Sequence, residues 1–155
     1  MEIVIVLLFL LPVFLATVTW YVVSSIIAYK YVKACNGAEA WMVWLPLSVR
    51  SSVICLASDN IHPLDIPIGV IVTLGLLTLI SIPFSWVPYV GWLVVTVSWL
   101  SMIALFVLNC IYIYNVASDL DEPAVLYVIL FILFCGLVEP FILHSLRKGI
   151  EEGWK

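Results

Sequence analysis

Arg50 and Glu139 are the two charged side chains that fall inside long apolar runs of this 155-residue chain. Glu139 is followed by Pro140 and, further along, by His144. An acid at membrane depth often marks a proton or ion path, and it also serves as half of a structural ion pair. An arginine near the middle of a spanning helix costs roughly 2.5–3.5 kcal/mol on insertion scales, so it needs a partner. If a segment enters near Ala40, Arg50 stands about 15 Å up it at helical rise, and Glu139 stands about 12 Å up from Arg147. The matching depths predict a structural Arg50–Glu139 ion pair between the second and fifth hydrophobic segments.

Other residues offer weaker chemistry. Asp59, His62 and Asp65 are spaced by three, with Pro63 interrupting any helix. Three ligands from one turn without a fourth make a poor metal site, and a solvated polar loop is the better reading. Cys35, Cys55, Cys110 and Cys135 lack C-x-x-C spacing, which disfavours structural zinc and a redox dithiol. Cys110 and Cys135 sit in apolar runs as small hydrophobes, while Cys35, after Lys30 and Lys33, offers reversible palmitoylation as a lesser alternative. No Ser-His-Asp set, H-E-x-x-H, P-loop or Gly-rich dinucleotide turn is present. The expectation is a protein that is not an enzyme and uses no metal or cofactor.

What must position these residues follows from composition. The chain is 65% hydrophobic, and only 10% of it is Asp, Glu, Lys or Arg, against roughly 25% in a soluble domain. A soluble fold of this size leaves about 30% of its unfolded surface wet and could not hide so much apolar area. The expected fold is all-α, a polytopic helical membrane protein of one domain. A net charge of −4 without a basic cluster excludes nucleic acid as a partner. The expected partners are the lipid bilayer, other membrane proteins or a second copy.

Five hydrophobic segments are expected, at about 3–29, 40–58, 66–84, 89–116 and 123–146. Four read as clear spans, and the second either spans or re-enters. With the second crossing and the N-terminus outside, Lys30, Lys33, Arg147, Lys148 and Lys155 all fall on the cytoplasmic side. Asp59, Asp65, Asp119, Asp121 and Glu122 then fill the outer loops. Trp41, Trp44 and Trp86 are expected as interfacial anchors. Ser48, Ser52 and Cys55, with Ser51 beside them, form a small-residue stripe suited to close helix packing. Trp92, Trp99 and Phe106 recur every seven residues, either as a packing seam or as rings facing lipid.

Ala40, Trp41, Trp44, Leu45 and Pro46, following a first span that ends in Tyr29-Lys30 and then Gly37, carry a resemblance. They resemble an Ala-Trp-x-x-Trp-Leu-Pro signature of small uncharacterised bacterial multi-spanning membrane proteins. The match covers residues 28–50 and departs after Pro46, where Ser48, Val49 and Arg50 replace the family's usual Asn and later Gly-Lys. The resemblance implies a bacterial cytoplasmic-membrane protein and no particular activity. The expected function is a non-catalytic membrane subunit. An ion channel or carrier using Glu139, and a membrane immunity or defence protein, are the alternatives.

Overall fold

The structure is a computed structural model that describes residues 2–37, 39–45, 47–84, 87 and 90–153. These residues form α1 (Glu2–Ala34), a 3-10 helix (Ala40–Trp44), α2 (Leu47–Asp59), α3 (Ile68–Phe84), α4 (Gly91–Asp119), α5 (Ala124–Leu133) and α6 (Glu139–Gly153), with no strand among them. Three helices stop in the same way. Asn36, Asp121 and Cys135 take positive φ, and the amides of Gly37, Glu122 and Gly136 bond back to Val32, Ala117 and Phe131. This six-to-one bond is the Schellman cap, which satisfies carbonyls the helix leaves over. Asn and Asp tolerate the left-handed region; Cys135 does so less readily.

The direction of each element follows from its contacts, first with α1 and then with α2. The Tyr21 hydroxyl donates to the carbonyls of Trp44 and Leu45, at 2.7 and 3.1 Å. The chain has thus climbed beside α1 from Cys35 to the level of Tyr21, about 20 Å at helical rise. It then comes back. Arg50 meets Ser24, Ser58 meets Tyr31, and Asn60 donates to the Cys35 carbonyl. Residues 35–60 are a hairpin that enters and leaves at one end of the molecule. α3 then rises, with Ile71 level with Cys55 and Gly75 against Ser52. α4 descends until Asp119 meets His62.

The last segment differs from the single span 123–146 expected from the sequence. α5 rises only to Leu133, the chain turns through Cys135 (φ 47°) and Gly136 (φ 79°), and α6 descends. A Cβ on Gly149 would touch Leu120, so both hairpins return to the same end. Gly136 frees the backbone to reverse, and Pro140 at the first turn of α6 lacks a bonding N–H there at no cost.

Two corrections follow. α1 over Leu10–Ala34 and α4 are long and apolar enough to cross a membrane, whereas Ile68–Ser81 and Ala124–Leu133 are apolar but shorter. Five continuous spans are therefore not what the chain forms. The acids Asp59, Asp119 and Asp121 lie at the same end as Cys35 and Gly149, not opposite the basic residues. The charge sorting misplaced them because it assumed that both broken segments crossed.

The core is concentrated at that end, around Tyr31, Val32, Ile54, Val116, Leu143 and Leu146. Toward the other end, α1 and α4 show bare apolar side chains outward, including Phe14 at 64% and Trp92 at 84% exposure.

Candidate functional site

The two hairpin tips meet. Position Arg50 comes from the first turns of α2 and Glu139 from the start of α6. Nη2 of Arg50 lies 3.3 Å from Oε2 of Glu139, and Nη1 donates to Ser24 Oγ at 2.7 Å. Ser24 Oγ in turn donates to the Tyr21 carbonyl. The ion pair thus ties both hairpins to α1. Arg50 is almost wholly enclosed, with 3% of its side chain exposed against 16% for Glu139. Its Nε is buried without an acceptor among the described residues. Arg147, the nearer cation in sequence, faces Glu151 instead, at 3.8 Å.

Above the pair lies a cavity of about 330 Å³. Both tips form its floor, and Trp20 and Tyr21 of α1 and Phe106 and Asn109 of α4 form facing walls. The Phe106 and Phe131 rings stack at 5.0 Å, and Trp20 tilts against Phe141 at 5.9 Å. Tyr31, Leu143 and Leu146 are packed in the buried core nearer the basic end. A mostly apolar concavity with a few convergent polar groups is the usual form of a small-molecule site.

Of the remaining sequence candidates, Ser48 and Phe106 line this cavity, with Ser51 beside them, and the others fall elsewhere. Ser52 and Cys55 face α3: Ser52 Oγ donates to the Ser48 carbonyl at 3.1 Å, and Cys55 packs with Ile71 and Tyr112. Trp92 and Trp99 point outward, at 84% and 64% exposure, so the seven-residue stripe is not a packing seam except at Phe106. Bulky rings on one stripe satisfy a seam and an outer face equally, which is why periodicity misled. Trp41 is exposed and donates to Glu39 at 2.8 Å. Trp44 is exposed and lies beside Tyr21, whose hydroxyl donates to its carbonyl. Trp86 lies outside the described residues.

Asp59 accepts from the Leu64 amide and the Tyr112 hydroxyl, while His62 bonds Asp119 at 2.7 Å. No group of three metal-ligating side chains occurs among the described residues. Cys35 is 2% exposed, and burial pushes its thiol up to about 12. A protonated, enclosed thiol is a poor acylation target, which corrects the palmitoylation reading. Sequence reasoning missed Ser24, Tyr21, Asn109 and Gly136. The Ser24-Ser25 step within an uncharged 27-residue run and Asn109 deep in α4 were the available signals.

Compared with protein-family models, with curated proteins and with solved structures, the chain matches none.

Proposed function

We propose that this is an integral membrane protein in which α1, α3 and α4 span the bilayer and two re-entrant hairpins enter from the cytoplasmic side. Its role is to bind a small solute at mid-membrane, as a carrier or channel subunit and not as an enzyme. The meeting at Arg50–Glu139 of the two helices that start just after the hairpin tips, beside a cavity, carries this reading. Broken helices at membrane depth persist only where protein buries them or a cavity receives them, and binding sites of transporters are built from such breaks. The basic residues Lys30, Lys33, Arg147 and Lys148 share one end, which the positive-inside rule makes cytoplasmic, with the start of α1 outside. The bacterial cytoplasmic membrane is the proposed location, following the resemblance at residues 28–50.

A second reading, a non-catalytic subunit packing against other membrane proteins or itself, is favoured by the outward Trp92 and Trp99. Impermeant thiol labelling in intact cells tests the architecture. Cysteine at Val90 is expected to label from outside, and cysteines at Asp121 and Gly149 are not. Outside labelling of either of the last two would overturn it.

A further inference from the structure

We propose that the cavity above the ion pair binds an organic ammonium ion with a compact apolar body. This rests on the mid-membrane binding site proposed above and names its ligand class. Arg50 and Glu139 both border the cavity, and the more exposed of the two charges is the negative one. Arg50 spends its Nη atoms on Ser24 and Glu139 and is enclosed, whereas Glu139 is the more open partner. The carboxylate has room for about four bonds but accepts one, from Arg50, among the described residues. A cation on its open side stands roughly twice as far from the guanidinium as from the carboxylate, so attraction outweighs repulsion.

The walls suit the same ligand. Trp20, Tyr21, Phe106 and Phe131 line the cavity, and aromatic faces attract cations, most strongly where water is sparse. Asn109 commits one of its two amide N–H groups to the Leu105 carbonyl at 3.0 Å, and its oxygen remains an acceptor. An anion would meet the Glu139 carboxylate and ring faces, while the Arg50 guanidinium that also borders the cavity is almost wholly enclosed. The volume of about 330 Å³ is room enough for a body of one ring plus an ammonium head.

Cys135 supplies the probe. It lines the cavity and is exposed, while Cys35 and Cys55 are buried. The purified protein in mild detergent is labelled with two methanethiosulfonates of similar size, one carrying trimethylammonium and one sulfonate, and the modified cysteine is identified by mass spectrometry. Rates are normalised to a free thiol in the same buffer. The cationic reagent is expected to modify Cys135 about tenfold faster. Benzyltrimethylammonium should slow that reaction, and benzenesulfonate should not. Glu139→Gln should erase the preference. So should Arg50→Met with Glu139→Leu, which leaves no charge unpaired if the single variant fails to fold. Equal normalised rates, faster anionic labelling, or protection by benzenesulfonate would overturn the ammonium assignment while leaving a water-open cavity. No labelling by either reagent would overturn the open cavity itself, and the ligand proposal with it.

Discussion

Removing one member of the Arg50–Glu139 pair should cost more than removing both. At 3.3 Å and an effective dielectric near 20, the gross attraction is about 5 kcal/mol. Only one N–O contact is made, not a forked pair, so a single substitution should cost about 3 kcal/mol, the low end for breaking a buried bridge. The two singles should differ. Glu139→Leu strands the guanidinium at 3% exposure, whereas Arg50→Met leaves a carboxylate that the cavity can hydrate. Arg50→Met also forfeits the Ser24 bond, worth about 1 kcal/mol, although Ser24 keeps its bond to Tyr21. The double variant, with no charge left over, should fall about 1–2 kcal/mol below the parent, a coupling of about 4–5 kcal/mol. At about 2–4 °C per kcal/mol, each single lowers Tm by roughly 6–12 °C in detergent, and the double by much less. Thermal unfolding followed by tryptophan fluorescence reads all four corners of the cycle. If the double loses as much as the singles added together, the two groups do not interact and the reasoning fails.

Three further outcomes are expected. A Cβ at Gly75 would fall on Ser52 Oγ and lie 3.4 Å from the Ser48 carbonyl, so Gly75→Val should cost about 1–3 kcal/mol, with part recovered by adding Ser52→Gly; no recovery in the unfolding midpoint would refute that contact. Cys135→Asn should stabilise the protein by up to about 1 kcal/mol, because Asn accepts the left-handed φ of 47° more easily, and a lowered midpoint would argue against the strained turn. Under native conditions at pH 8, N-ethylmaleimide should modify Cys135 first and leave Cys35 untouched, since the latter is enclosed and its thiol is pushed up to about 12; rapid adduct formation at Cys35 in the mass spectrum would contradict its burial.

The helical class and the depth of the two charges were legible because each depends on local signals, apolar run length and helical rise. The Ser48/Ser52/Cys55 stripe was legible for the same reason, although its partner surface at Gly75 was not. What failed was the assumption that an apolar run crosses. Hydropathy counts residues and cannot see a reversal, and residues 123–146 keep their apolar character through the turn at Cys135-Gly136. The signal lay in Gly136 and Pro140, four residues apart, and in Pro46, which breaks the second run. The cavity was invisible for a different reason. It draws Trp20 and Tyr21 from α1, Asn109 from α4 and Glu139 from α6, and only the docking of the hairpins brings these together.

That both hairpins begin and end on one side bears on how the protein is made. In the topology proposed above, the connection between α3 and α4 is the turn after α1 that must be carried across, and residues 66–118 that contain it hold no charged side chain. On that proposal neither hairpin sends a hydrophilic loop through the bilayer, and the acids at 59–65 and 119–122 stay on the side where the chain is synthesised. Insertion on that proposal needs α1 and then α3 with α4 to partition as apolar helices, with no polar loop pushed across. The hairpins then fold onto a frame already in place. The cavity comes into being only at this last step, when Glu139 reaches Arg50, so the nascent protein gains its site and its final tertiary contacts together.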